Sequence, residues 1–216
     1  KPLTYICNNV ALDSGICNIP FNLPTRAQIS NECYFPLEKG KWNIVYLANF
    51  LRNKGHEHYK NAIFSFAKKH PDSRFWFFGE GPRRETFYKE VCEAGLEKQI
   101  FCPGRVAHKL THSILSQADV VLSLSAQETA GHNAVEAMLK GVPVIGTRVG
   151  SAEYLLQDYI TGIVVNSNTS LFTALNLLYS SPFLSQEMGR KAKSVVESLY
   201  GYQDMIRAYF YLYHSL

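Results

Sequence analysis

From Trp42 onward short apolar segments alternate with segments of helical period, and this alternation leaves few folds open. Asn43 to Leu47, Arg74 to Phe78, Ile100 to Pro103, Ala118 to Ser125, Val142 to Thr147 and Gly162 to Val165 read as strands. They are rich in β-branched and aromatic residues and lack polar alternation, as strands buried on both faces do. Between them, Asn53 to Lys69 places Tyr59, Ala62, Ile63, Phe66 and Ala67 on one helical face. The turn Gly79-Glu-Gly feeds a helix with Pro82 suited to its first position. Further helices are expected over Leu110 to Gln117, from near Asn133 to Lys140, from Ser151 to about Gln157, and twice or more toward the carboxyl end. Strands apolar on both faces need helices against both. The expected fold is therefore α/β, a Rossmann-like three-layer arrangement with a parallel sheet between helices.

In such sheets ligands sit beyond the carboxyl ends of the strands, where Gly79, Gly104 and Glu128 should converge. The densest chemistry lies in Ser125-Ala-Gln-Glu-Thr-Ala-Gly-His-Asn-Ala-Val-Glu-Ala-Met138. Gly131 permits a tight turn, Asn133 reads as an N-cap, and the N–H groups near residues 131 to 135 should point outward, a setting that attracts anions. Glu128 and Glu136, eight positions apart, bracket that turn. A carboxylate accepts two hydrogen bonds from a vicinal diol, so acceptor, anion site and second acceptor suit a sugar, a diphosphate and a ribose in that order. Glu136 also has a plain reading as an acid favoured by the helix dipole, and a loop glutamate such as Glu128 is commonly just solvated.

Other chemistries find less support. Gly79-x-Gly81 begins like a dinucleotide fingerprint, but Arg84 occupies the third glycine position, and no phosphate-binding G-x-x-x-x-G-K-[ST] occurs. The pairs His56 with His58 and His108 with His112 lack a completing Cys or carboxylate cluster; they read as exposed, and no metal is expected. Five irregularly spaced cysteines fit a reducing cytosol. A net charge of +4 is too small to argue for nucleic acid. No run approaches the roughly 20 apolar residues of a bilayer span, and no signal-peptide pattern is read at the start. Lys68-Lys69-His70 reads as a helix end complementing the dipole, and Arg190, Lys191 and Lys193 as a solvated face, with membrane contact the lesser reading. Residues 1 to 41 read as a short strand over Tyr5 to Val10 followed by a Gly, Pro and Asn-bearing linker.

These motifs together resemble a known family. Gly79-Glu-Gly-Pro82, Phe101-x-x-Gly104-x-Val106, Ala118-Asp119-Val120, Ser125-x-x-Glu128 through Glu136-Ala137-Met138, Gly141-x-Pro143-Val144-Ile145-Gly146-Thr147, and Glu153 with Gly162 are similar to the carboxyl-terminal domain of the retaining GT-B glycosyltransferases. The likeness runs over residues 42 to 216, and Ile6-x-Asn8-Asn9-Val10 is similar to that family's interdomain strand.

The resemblance implies a donor domain at 42–216, an interdomain strand and linker at 1–41, and an acceptor domain that this chain lacks or that a partner chain supplies. It implies that Glu128 contacts donor-sugar hydroxyls, as a positioning and charge-stabilising group, and that Glu136 holds the ribose. Thr129, Ala130, Gly131, His132 and Asn133 would offer the turn to the sugar and distal phosphate. Lys54 would neutralise the diphosphate without a metal, while the family's further arginine is Asn49 here, with Arg52 nearby. Gly104-Arg105-Val106 would read the base, beside Gly79. The implied substrate is a nucleotide-diphosphate sugar, UDP-sugar before GDP-sugar, with no cofactor. The implied product is a polysaccharide or glycolipid made in the cytoplasm, with peripheral contact at the inner membrane face. The aromatic segment Met205, Ile206, Tyr209, Phe210, Leu212 and Tyr213 would meet the other domain. Two rivals remain: a nucleotide-sugar epimerase of related fold, and a non-catalytic nucleotide-sugar-binding subunit.

Overall fold

A computed structural model describes residues 10–12, 15–17, 35–128 and 131–199, with residues 206, 210, 211, 213 and 214. Strands β1 (Val10–Leu12) and β2 (Gly15–Cys17) pair antiparallel as a small ribbon, so Gly15, expected in the linker, opens a strand. Tyr5 to Asn9 of the expected first strand lie outside the described residues. The chain joins the main core at Phe35, which packs edge-on against Trp76 and Phe78, and at the buried Leu37.

The sheet holds β3 (Trp42–Leu47), β4 (Ser73–Phe78), β5 (Ile100–Gly104), β6 (Val120–Ser123), β7 (Val144–Gly146) and β8 (Gly162–Val164) in the order β5-β4-β3-β6-β7-β8. Every neighbouring pair is parallel. The helices are α1 (Lys60–Lys69), α2 (Arg84–Glu93), α3 (His108–Leu115), α4 (His132–Leu139), α5 (Ala152–Leu155), α6 (Asn168–Ser180) and α7 (Pro182–Leu199). Alternate strand residues feed two cores. Ile44, Tyr46, Phe75, Phe77, Val120 and Leu122 meet α1, α2 and α6 on one face. Val45, Phe78, Val121 and Val144 meet α3, α4, α5 and α7 on the other. Each large side chain so buried contributes about 1.5–3 kcal/mol, which is why the apolar strands dictate two covering layers. The three-layer α/β fold with helices on both faces is the one expected from the alternation.

Boundaries moved where the chain has other obligations. The helix expected from Asn53 begins only at Lys60. Before it a single 3-10 turn, Arg52–Lys54, ends at Gly55 with φ of 84°. A Cβ at Gly55 would lie 1.9 Å from the Leu124 carbonyl oxygen, so this backbone is pressed onto the loop after β6. Likewise α2 starts at Arg84, past Pro82, because Gly81 lies against the Phe50 carbonyl.

At the amino end of the strands the register of β3 and β6 is locked by polar groups. The Asn43 N–H donates to Asp119 Oδ2 at 2.7 Å, and the Asp119 N–H returns a bond to the Asn43 carbonyl at 2.9 Å. Asn43 Oδ1 accepts from Trp76 Nε1 at 2.9 Å. Burial raises the Asp119 carboxyl above its ordinary range, opposed by the bond from Asn43. Among the described residues no helix is long and apolar enough to cross a membrane.

Candidate functional site

The order of the sheet fixes where the site must be. After β3 the chain crosses to the face of α1, and after β6 to the opposite face with α4, so a crevice opens beyond the carboxyl ends of these two neighbours. The two strand ends meet across it. The Ala126 N–H donates to the Asn53 carbonyl at 2.7 Å, and the Tyr46 hydroxyl donates to the Lys54 carbonyl at 2.9 Å. These bonds hold the 3-10 turn so that Lys54 Nζ reaches Glu128 Oε2 at 2.6 Å, with only 19% and 22% of the two side chains exposed. Ser125 Oγ donates to the same oxygen at 3.3 Å, and Thr147 Oγ1 in turn anchors the Ser125 carbonyl. Burial and then the Glu128 charge raise the Tyr46 hydroxyl, so it stays protonated as a donor.

Two glycines shape the turn that carries Glu128. At Gly150, with φ of 59°, an added Cβ would lie 3.2 Å from the Glu128 Cβ. At Gly131, with φ of 60°, it would lie 3.6 Å from the Glu128 Cγ and 3.2 Å from the Ser151 Oγ. Gly131, not Asn133, is the N-cap of α4, and being glycine it makes no side-chain cap bond. Asn133 sits inside the helix and works across the crevice: its Nδ2 donates to the Leu47 carbonyl at 3.1 Å, while its Oδ1 accepts from the Ala134 N–H at 2.8 Å. The Ala134 N–H of this first turn also bonds the Gly131 carbonyl at 3.0 Å.

One turn along α4, Glu136 is 12% exposed and its Oε1 lies 3.5 Å from His108 Nε2 at the start of α3. His108 is exposed, as read from the sequence, and lies beside this carboxylate. His56 and His112 are not exposed in the way their positions suggest. His56 is fully buried among Tyr46, Phe50 and Phe87, and both nitrogens of His56 and of His112 lack partners. Burial lowers both rings below the ordinary histidine range, Arg83 adding to the effect at His56 and Lys140 at His112. Among the described residues no group of three or more His, Cys, Asp or Glu is placed to hold a metal ion.

Gly79 and Gly104 meet at the carboxyl ends of β4 and β5. The Gly79 N–H donates to the Gly104 carbonyl at 2.9 Å, and a Cβ at Gly79 would strike the Ala48 carbonyl at 2.1 Å, next to Asn49. Asn49, Arg52, Arg105 and His132 are exposed, and Val106 packs on the second core. Thr129 and Ala130 lie outside the described residues, as do Met205, Tyr209 and Leu212, whereas Ile206, Phe210 and Tyr213 are exposed. Residue reasoning missed Gly150 and Ser151 as parts of the Glu128 turn. Their only signal was a glycine immediately before an expected helix, just past β7.

With this geometry in place, comparison with known proteins is specific. The family model described as glycosyl transferases group 1 matches residues 34–195. The alpha-D-kanosaminyltransferase of Streptomyces kanamyceticus is 26% identical over 159 residues, 73% of this chain and 41% of that protein. Among solved structures, the C-terminal domain of a glycosyl transferase group 1 family protein, LpcC, from Francisella tularensis is 27% identical. It covers 76% of this chain and 88% of that one with a TM-score of 0.70. Anabaena HepE in complex with UDP-glucose shares the fold, at 18% identity and a TM-score of 0.74 over 82% of this chain and 50% of that one. The chain thus spans less than half the length of the curated relative and half of HepE. A family match over most of the crevice-bearing domain, on a sheet of the same order of layers as the C-terminal domain of LpcC, makes this chain a member of the glycosyl transferases group 1 family.

Proposed function

We propose that this chain is the donor domain of a retaining glycosyltransferase, binding a nucleotide-diphosphate sugar whose sugar passes to a polysaccharide or glycolipid acceptor. The observation that carries the reading is the Lys54–Glu128 pair set at the topological switch point beside the glycine-capped end of α4. An ammonium has three donors, and one goes to Glu128; the others suit a diphosphate lodged at the helix end. Glu128 is a carboxylate of the kind that accepts from sugar hydroxyls, and its charge holds Lys54 in place. As the bond from the anomeric carbon to the phosphate breaks, negative charge grows on the diphosphate, and Lys54 with the α4 terminus stabilises it from fixed positions. Glu136 takes the ribose diol, and the backbone of Gly104, Arg105 and Val106 reads the base, uridine before guanosine. Arg52 and Asn49 stand at the diphosphate side. The UDP-glucose complex of HepE supports this use of the shared fold. The acceptor is held by an amino-terminal domain or a partner chain at the cytoplasmic face of a membrane, where the domain makes peripheral contact.

Calorimetric titration with UDP, GDP and ADP, in the wild type and in Glu136→Ala, tests the reading. Metal-independent binding of one nucleoside diphosphate is expected, weakened about tenfold or more by the substitution because two hydrogen bonds to a charged acceptor are lost. Equal, or no, binding of the three at millimolar concentration would remove the donor assignment.

A further inference from the structure

Ser151 is 7% exposed, and its hydroxyl has no hydrogen-bond partner. It stands at the N-cap of α5, a position where serine ordinarily accepts from its own helix, yet it makes no such bond. Instead the Oγ lies beside Gly131, at the amino end of α4. It lies 3.2 Å from where the N-cap residue of α4 would carry a Cβ, if that residue were not glycine. The hydroxyl therefore lies against the N-cap of α4 without capping it. The next residue back, Gly150, is the one pressed against Glu128, so the position of Ser151 is tied to that carboxylate. A buried hydroxyl left unpaired beside N–H groups that favour an anion is a donor short of an acceptor.

We infer that Ser151 is a substrate-positioning residue whose hydroxyl donates to an oxygen of the distal phosphoryl group held at the amino end of α4. The inference rests on the donor reading above and deepens it. Lys54 approaches that phosphoryl from the β3 side and Ser151 from the β7 side, so the two donors fix its rotation as well as its charge. A phosphoryl oxygen satisfies the hydroxyl and the helix end at once, which an apolar group cannot.

The experiment is calorimetry of wild type, Ser151→Ala and Ser151→Cys with the nucleoside diphosphate that binds among UDP, GDP and ADP, and with its monophosphate. Thermal unfolding is measured on the same samples. Losing a hydrogen bond to a charged acceptor should weaken diphosphate binding by Ser151→Ala roughly 10-fold or more. The monophosphate, which lacks the distal group, should bind as before, and Ser151→Cys, a weak donor of similar shape, should fall between. Without ligand, Ser151→Ala should unfold at an equal or higher temperature, since it removes an orphaned polar atom. Unchanged diphosphate affinity in Ser151→Ala, with Glu136→Ala still impaired, overturns the role of Ser151 and leaves the donor reading standing. Equal losses for mono- and diphosphate, or a lowered unfolding temperature, overturn it in favour of a structural hydroxyl. If the wild type binds no nucleoside diphosphate, the inference falls together with the donor reading.

Discussion

At the amino end of the sheet every polar group around Asn43 is spoken for: Asp119, Trp76, Glu38 and Lys41 all bond to it. At the carboxyl end the Ser151 hydroxyl is buried without a partner, α4 begins at a glycine with no side-chain cap, and a lysine is tied to a glutamate in a crevice. Both regions bury polar atoms at the ends of β3 and β6, the second together with the loop after β7. The difference is what completes them. The amino end is saturated by the protein itself and serves register; the carboxyl end leaves the Ser151 hydroxyl without a protein partner. Polar burial by itself marks neither role, whereas unsatisfied polar burial at a switch point marks the second.

Substitutions at the two ends should therefore separate stability from binding. The largest effect is expected from Asp119→Ala, which strands the Asn43 N–H inside the sheet. A loss of about 2–3 kcal/mol in unfolding free energy is expected by denaturant titration, with nucleoside diphosphate affinity of the folded protein unchanged. A comparable loss of affinity would mean that the register lock reaches the crevice and that the two ends are one unit. Lys54→Met should do the reverse. Its pair with Glu128 is partly exposed, so stability should change by less than about 1 kcal/mol, while diphosphate affinity should drop about tenfold or more. Retention of wild-type affinity in Lys54→Met would assign the pair to the fold and dissolve the contrast.

How much of this could be read beforehand follows the same division. The alternation of apolar strands gave three layers and a parallel sheet because burial on both faces leaves a composition that cannot be hidden otherwise. Glu128 and Glu136 stood out by residue type and spacing and Lys54 through the family resemblance, and the fold brings Lys54 and Glu128 into contact. What escaped was set by approach between distant segments. Asn133 looks like an N-cap in isolation, but the helix starts at Gly131 because the turn must clear Ser151 and Glu128, which frees Asn133 to reach Leu47. The long expected helix from Asn53 fails because Gly55 has to lie on the Leu124 carbonyl, a contact nearly 70 residues away in sequence. His56 reads as a polar surface residue after a glycine, yet that same contact turns it into the aromatic core. No local pattern records such approaches.

His56 also offers the finest test of the comparison, since it is an unpartnered polar group near the carboxyl end that faces the core and not the crevice. Burial, aided by Arg83 and opposed by Glu57 and Glu90, lowers its folded pKa below the ordinary value of about 6.5 that the unfolded chain retains. The unfolded state then binds the proton first, so the contribution of His56 to stability is complete above about pH 6.5 and is lost as the pH falls toward the folded value. His112, lowered by burial as well, acts with the same sign. Asp119, raised by burial, acts with the opposite one. His56→Phe keeps an aromatic ring among Tyr46, Phe50 and Phe87 and removes the titration. Melting temperatures at about pH 7.5 and about pH 5.5 should therefore differ less in the variant than in the wild type, without vanishing, because His112 remains. Diphosphate affinity at the higher pH should be unaltered. An undiminished acid slope would show that His56 takes its proton without cost and is not the sealed core group its surroundings describe; a changed affinity would move it from the core to the site, as the second buried polar group at the carboxyl end that answers to the ligand.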